Sequence, residues 1–517
     1  MPSVFEAYIT DDEAVAGCFP AHPRSIFDTA ANPASWDPAL RDDVLQYSRQ
    51  FGLNPTITGD EPVIITGQQP GIFAGSAYTV YKAMTAVKLA AQLTERHGRR
   101  YVPLFWLAGD DHDFDEAREV SVLTKRHEPL ALRYEPTADV ANVPMHSVPL
   151  EDSLHDLIDL AANETQGSEF RDEVAKFLHD SLEKSASLHD WTAHIIGRLF
   201  QHTDLALFAP HLPSSRKLCA DIIAREIDVP LRSTQLANEA GRNLTDAGFE
   251  QQLAKNDNEV NFFIESDGRR HKVVYNDGNF VLPESNETYS PGDMKALLND
   301  HPERFSPNVI IRPVAQQRLF PCQAYVAGPG EIAYWAQLKP VFAYFEQEMP
   351  VVYPRCRIAL TDRKLRMLMD DHGIPLNDAG APLQELEQRA LHTVNRSNGA
   401  VTALESHRVE MLQSAEALSL VMDRLNPTAR DQSHRLHRLM AREFDRIERT
   451  LLREDEERVE TVRRHVQRIA NTLAPARKPQ ERVYTICSFL FAHGFGLIDR
   501  IMDAVDVTSF DLQEVEL

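Results

Sequence analysis

The pair of segments "PVIITG" at 62–67 and "YVPLFWLAG" at 101–109, with a helical period between them, constrains this chain more than any other feature. Both are short apolar runs ending in glycine, the pattern of a strand buried on both faces that feeds a turn. Between them Ala77, Val80, Ala83, Met84, Val87 and Ala91 recur at three- and four-residue steps. That period predicts a helix over 76–96 and leaves Lys82 and Lys88 to other faces. Strand, helix and strand make one βαβ unit.

Three later apolar runs repeat the pattern: "DLALFAP" at 204–210, "QAYVAG" at 323–328 and "MPVVYP" at 349–354. Five such strands interleaved with helices predict an α/β fold, a Rossmann-like doubly wound, mostly parallel sheet with its ligand crevice at the carboxyl ends of the strands. Two stretches fit that sheet poorly and read as insertions, at about 118–200 and 231–305. The first alternates over 118–150 and then turns helical near 152–200. The second holds a meander, "NFFIESDGRRHKVVYNDGNFVL" at 261–282, with turn signals at Asp267-Gly268 and Asp277-Gly278. A separate small domain is the other reading of these pieces.

The core is expected over 1–384, and from 385 to 475 the texture becomes long, glycine-poor, charge-rich helix. Leu404, Met411, Ala415, Leu418, Met422 and Leu425 form a heptad-like stripe if Arg408 occupies one seam position. Asn426-Pro427 breaks it, and Leu436, Met440, Phe444, Ile447 and Leu451 start a second stripe. Val459, Val462, Val466, Ile469 and Leu473 continue that stripe after a shift at "REDEER". The pattern predicts an antiparallel helical hairpin, a coiled-coil arm. Its surplus apolar seam suits a homodimer, or packs back on its own domain. Residues 476–517 then return through "PARKPQERVY" to a final helix near 481–504.

Composition narrows the function. At 517 residues the chain exceeds one ordinary core, and its 43% hydrophobic and 25% charged content is that of a globular protein. A formal charge of −23 repels phosphate backbones and anionic membranes, so neither nucleic acid nor membrane is expected as a partner, while a local basic pocket for a small phosphorylated ligand stays open. Cys18, Cys219, Cys322, Cys356 and Cys487 are scattered without C-x-x-C spacing, which fits a reducing cytoplasm. "MPSVFEAYITDDEAV" has no basic leader or apolar core, and no segment approaches eighteen uncharged apolar residues, so a cytoplasmic location is expected.

Three constellations carry chemistry. In "TGQQPG" at 66–71, Gly67 and Gly71 sit where backbone amides could approach an anion at a strand-to-helix turn, with Gln68 and Gln69 between them. The spacing matches neither G-x-x-x-x-G-K-[ST] nor G-x-G-x-x-G, and a plain turn with solvated glutamines is the competing reading. In Gly109-Asp110-Asp111-His112-Asp113, crowded carboxylates would raise one another's pKa and favour histidine protonation, separating acid and base roles near neutral pH and giving a base candidate. Magnesium or zinc coordination competes with that reading, but no distant ligand accompanies the cluster; so does helix capping by Asp113 or Asp115. The third runs over 308–355, where Gly328-Pro329-Gly330 precedes Glu331, Tyr334, Trp335, Gln337 and Lys339. Rings there could stack on a base, and Arg312 could clamp a carboxylate; an aromatic core helix is the alternative for Trp335.

Together, "TGQQPGIFAGSAYTVYKAMTAVKLA", "PLFWLAGDDHDFDEA", "AGPGEIAYWAQLKPVF" with "MPVVYPR", and the coiled-coil section followed by "ERVYTICSFLFAHG" resemble the bacillithiol-biosynthesis cysteine-adding enzymes, the BshC family. The likeness spans about residues 60–500; Pro70 stands where a small alanine is usual and Asp110 where glutamate commonly precedes the Asp-His-Asp run. The resemblance implies a Rossmann-type core with two connecting-peptide insertions, similar to class I aminoacyl-tRNA synthetase-like nucleotidyl transferases, and a dimerising coiled-coil arm. It also implies ligation of L-cysteine to glucosaminyl malate, the last step of bacillithiol formation.

Amide formation from a carboxylate needs an activated acyl donor, so ATP or ADP is the expected nucleotide. Magnesium is compatible with that chemistry but no specific motif calls for it. The expected catalytic group is Asp110, Asp111, His112 and Asp113. The expected binding group is Gly67, Gln68, Gln69, Gly71, Tyr78, Lys82, Arg312, Gly328, Gly330, Glu331, Tyr334, Trp335 and Gln337, and no residue is assigned as a metal ligand. A ligase or nucleotidyl transferase with other substrates, and a nonenzymatic dimeric scaffold with a vestigial nucleotide pocket, are the alternatives.

Overall fold

The computed structural model describes residues 3–31, 35–394, 398–422, 424 and 426–517. All five apolar runs are strands: β1 (Val63–Gln68), β2 (Val102–Leu107), β3 (Ala206–Phe208), β4 (Cys322–Ala327) and β5 (Val351–Pro354). They form one sheet in the order β5-β4-β1-β2-β3, and every pairing is parallel. All six residues of β2 are buried, as a strand covered by helices on both faces must be. Helix α1 (Tyr78–His97) carries the chain from β1 to β2, burying Val80, Ala83, Met84, Leu89 and Leu93, and ends at Gly98 in the left-handed region, with φ 62°. After β2 and β3 the chain crosses back to place β4 on the far side of β1. The gap between the carboxyl ends of β1 and β4 is therefore the switch point of the sheet.

Further elements lie between the strands in both stretches that fit the sheet poorly. Between β2 and β3 lie an antiparallel hairpin, Glu119–Leu123 with Pro129–Arg133, and helices Ser153–Glu164, Arg171–Glu183 and Leu188–Leu199. Helix α2 (Pro213–Asp228) follows β3. Between β3 and β4 an antiparallel sheet joins Glu259–Ser266, Arg269–Asn276, Asn279–Leu282 and Glu287–Tyr289, with Phe305–Pro307 on its edge. Its two tight turns have positive φ at both central residues, 51° and 70° at Asp267-Gly268 and 49° and 82° at Asp277-Gly278. Asp-Gly is the pair that adopts this conformation most readily.

The chain divides into two compact units, residues 1–359 with 481–515, and residues 360–480 with 516–517. The second unit thus begins ahead of the change in texture at 385 and includes helix Arg363–His372. Its long elements are α4 (Asn398–Met422) and α5 (Pro427–Leu473), and Asn426 starts α5 by accepting a hydrogen bond from the Thr428 amide. Arg408 does occupy the seam, reaching Asp445 at 2.7 Å and Glu448 at 2.9 Å on the facing helix.

The seam otherwise departs from the expected stripe. Met411, Leu418, Leu436 and Ile447 are exposed, whereas Ala415, Ser419 and Ser433 are buried. The two serines turn their hydroxyls back onto their own helices, Ser419 to the Ala415 carbonyl and Ser433 to that of Arg430, so they need no partner across the seam. Val462, Val466, Ile469 and Leu473 are buried as expected. Leu425 and the side chain of Leu451 lie outside the described residues.

The single helix expected near 481–504 is instead three short ones, Gln480–Val483, Cys487–His493 and Leu497–Ala504, followed by strand Leu512–Glu516. The Thr485 hydroxyl donates to the Phe73 carbonyl at 2.9 Å, tying the first break to the core, and Gly494 at φ 70° makes the second.

Candidate active site

A cleft of about 630 Å³ opens at the carboxyl ends of β1, β2 and β4. At the end of β1, Gly67 lies so close to β2 that a Cβ built on it would stand 2.5 Å from the Trp106 carbonyl oxygen. Across the switch point, Gly328 and Gly330 flank the start of α3 (Pro329–Trp335). Glu331 accepts from the Gly328 amide at 2.8 Å and the Tyr325 hydroxyl at 2.7 Å, and pairs with Lys82 at 2.7 Å. Burial pushes the Glu331 carboxyl up, but Lys82, the Gly328 amide and Tyr325 outweigh it and keep the group ionised. Lys82 also donates to the Gly67 carbonyl and to Gln68 Oε1 at 3.1 Å.

Three guanidinium groups make this end of the cleft cationic. Arg312 lies 5.5 Å from the Tyr325 ring and 5.7 Å from the Trp106 ring; Arg355 lies 5.6 Å from the Tyr78 ring and pairs with buried Glu481 at 2.6 Å. Arg482 completes the lining.

The acidic stretch after β2 forms another part of the wall. Asp111 accepts from the amides of His112 at 2.7 Å and Asp113 at 3.1 Å, and from Gln69 Nε2 at 2.5 Å. Arg270, from the second insertion, donates to His112 Nδ1 at 3.3 Å, which places the ring proton on Nε2. Burial and then the Arg270 cation hold the His112 pKa below its ordinary value despite Asp111 and Asp113. The expected imidazolium is thus replaced by a neutral ring, because burial and the neighbouring guanidinium outweigh the carboxylates. Asp110 also departs from expectation: burial pushes its carboxyl up, but Arg216, 2.6 Å away, and Arg270 bring it below the usual range.

Of the expected residues, Gly67, Gln68, Gln69, Tyr78, Asp110, Asp111, His112, Arg312, Gly328, Gly330, Glu331 and Tyr334 line the cleft. Gly71, Lys82, Asp113, Trp335 and Gln337 do not. The Gly71 amide donates to Thr192 at 3.2 Å, and α1 starts only at Tyr78, after a turn in which Phe73 and Ala74 have φ of 53° and 62°. The loop amides therefore do not point into the start of α1. Lys82 is fully buried against Glu331; Trp335 stacks on Tyr325 with ring centroids 4.6 Å apart, the core reading of that helix. Gln337 is buried and ties down another loop, accepting from the amides of Gln252 and Leu253. Asp113 is exposed and makes no capping bond with its side chain.

Sequence reasoning missed Arg270, Arg216, Asn308 and Arg482. Their only local signal is position: Arg270 follows an Asp-Gly turn by two residues, and Asn308 follows an edge strand.

It also missed two histidines beside Asp110. His146 sits in the turn Met145–Ser147, where its amide and its Nδ1 both donate to the Gly109 carbonyl at 3.0 Å, and the Met145 amide donates to the Asp111 carbonyl at 2.7 Å. His211 follows β3, and burial, then His189 and His146, push its pKa down to about 3. One oxygen or ring nitrogen from each of Asp110, His146 and His211 lies within 4.8 Å of the others.

A parallel sheet in this order, with a charged cleft at its switch point, defines a Rossmann-like domain built to hold a small polar ligand. Residues 56–356 match the family described as "Bacillithiol biosynthesis BshC, N-terminal Rossmann-like domain", and residues 358–517 match its "C-terminal coiled-coil domain". The chain belongs to the BshC family. It is 30% identical to the protein named "Putative cysteine ligase BshC" from Salinibacter ruber, over 98% of this chain and 94% of that one. Proteins of the same name from Symbiobacterium thermophilum, 30% identical over 96% and 88%, and Bacillus cytotoxicus, 27% identical over 96% and 94%, also match over most of their length. No helix among the described residues is long and apolar enough to cross a membrane.

Proposed function

We propose that this protein ligates the carboxyl group of L-cysteine to the amine of glucosaminyl malate, forming an amide in bacillithiol biosynthesis. ATP activates the carboxylate as an acyl phosphate or an acyl adenylate, the amine displaces the phosphate or AMP as the amide forms, and magnesium accompanies the nucleotide. The observation that carries the reading is the cleft itself, cationic at the switch point and lined by carboxylates and a neutral imidazole after β2. The glycines at 67, 328 and 330 border the phosphates, Arg312 holds an anionic substrate group, and Tyr78 and Tyr334 offer flat faces. Asp111 and His112, both in the cleft wall, take the proton from the attacking amine. Lys82 acts through Glu331 and not on substrate directly.

The experiment is ligation by the purified chain with cysteine, glucosaminyl malate and ATP, followed by mass spectrometry of the product. His112→Ala abolishes product while leaving the folded state intact; unaltered turnover removes His112 from the mechanism. Cells lacking the gene accumulate glucosaminyl malate.

The protein acts as a homodimer through its arm, in a reducing cytoplasm where its five free cysteines stay reduced. Supporting the dimer, Met411, Leu418, Leu436, Leu439 and Ile447 are all exposed along one hairpin. Leu418→Glu combined with Leu436→Glu shifts the sedimentation coefficient to that of a monomer, and an unchanged profile removes the arm as the interface.

A further inference from the structure

We propose that Asp110, His146 and His211 form a site for one divalent transition-metal ion of the zinc class, beside the ends of β2 and β3. The three come from separate places, a strand end, an inserted turn and the next strand end, yet their potential ligand atoms lie within 4.8 Å of one another. Tetrahedral ligands about 2.1 Å from zinc stand about 3.4 Å apart, so closing on an ion takes only small side-chain movements.

The surroundings of each member suit a metal ligand. His146 donates Nδ1–H to the Gly109 carbonyl, which leaves the Nε2 lone pair free, as an outer hydrogen bond does for a metal-bound imidazole. Buried His211 Nδ1 has no hydrogen-bond partner among the described residues. Arg216 binds Asp110 Oδ1 at 2.6 Å and is itself anchored on the Phe305 carbonyl at 2.7 Å, which fixes the carboxylate. His189 packs behind, with its ring 5.0 Å from that of His211, and is held by Tyr47 and Asp190.

Two imidazoles and one carboxylate suit zinc, cobalt, nickel or ferrous iron over magnesium or calcium, which prefer oxygen ligands. Three protein ligands leave a fourth position, and the site adjoins the cleft through Asp110 and Pro210, which line it.

The test is a cobalt(II) titration of the full chain after chelator treatment, read by visible absorbance and by bound metal per chain. The wild type binds one equivalent at the site, and H146Q/H211Q binds at least tenfold more weakly. Two other histidine pairs could chelate, His155 with His179, whose Nδ1 atoms are 2.7 Å apart, and His372 with His465, 3.0 Å apart, so H155Q/H179Q and H372Q/H465Q must each keep the tight site. If H146Q/H211Q loses its cooperative melt, H211Q alone replaces it, since that Nδ1 has no hydrogen bond to lose. Equal binding by wild type and the site variant, or loss of binding only in H155Q/H179Q or H372Q/H465Q, overturns the assignment. Because ligation is not read, the result stands apart from that of the proposed reaction.

Discussion

The two units use the same charged residues in opposite ways. In the Rossmann-like unit, Lys82–Glu331, Arg216–Asp110 and Arg355–Glu481 pair inside the protein, and each pair sits where a strand finishes: Asp110 after β2, Glu331 after β4, Arg355 after β5. Further hydrogen bonds complete them, as when Glu481 also accepts from the Ile358 amide at 3.0 Å. In the helical unit the pairs lie at the rim, and Arg408 holds its two partners across the hairpin from a seam that water reaches. Buried pairs are hard to break because removing one partner strands a charge away from solvent, whereas exposed pairs lose little. One set fixes the geometry of the cleft walls; the other only holds two helices in register.

The contrast breaks most visibly at Glu481. Glu481→Gln leaves the buried Arg355 guanidinium uncompensated and lowers stability by about 3–5 kcal/mol, read as a lower urea midpoint. A double replacement by leucine, removing both charges, recovers most of that loss.

Glu226 sharpens the contrast from another side, as a fully buried carboxyl whose Oε1 has no partner among the described residues. Burial pushes its pKa up to about 7, against the opposing bonds from Ser233 and the Asn261 amide. A carboxyl whose pKa is higher folded than unfolded favours the folded state fully below the unfolded pKa. It loses that advantage as pH rises toward 7. The wild type therefore loses up to about 3 kcal/mol from this group between pH 4.5 and 7, at about 1.4 kcal/mol per pKa unit. Glu226→Gln removes that slope, so thermal melts at pH 5 and pH 8 show the variant gaining on the wild type at the higher pH.

The smallest effect belongs to the arm. Arg408→Met changes the unfolding free energy, read from the urea midpoint, by less than about 1 kcal/mol, and salt narrows the difference further. An effect as large as that at Glu481 would abolish the distinction between the units.

The sheet was legible because burial on both faces writes itself as continuous apolar runs, and "PVIITG" and "YVPLFWLAG" admit few other readings. The turns of the meander were legible for a similar reason, since Asp-Gly fits their left-handed backbone. Which side chains face the cleft was less so. Lys82, Trp335 and Gln337 sit at promising positions, but their direction depends on Glu331, Tyr325 and the loop at 252–253, partners that no local period encodes. Arg270 and His146 reach the site from insertions, and nothing near them in the chain announces their destination. The arm misled by its chemistry: Ser419 and Ser433, each bonded to its own helix, are buried while Met411 and Leu418, which a hydrophobic period assigns to the seam, are exposed.

The segment after the arm has a further consequence. The Ala77 amide donates to the Tyr484 carbonyl at 2.8 Å, the Thr485 amide to that of Ser121 at 3.0 Å, and Arg482 forms part of the cleft wall. A ribosome must therefore translate the whole helical hairpin before the first unit acquires its last wall, and until then the nascent sheet waits with that side uncovered. Vectorial synthesis makes this binding chamber among the final features of the molecule to mature, although its opening strand is among the earliest to emerge.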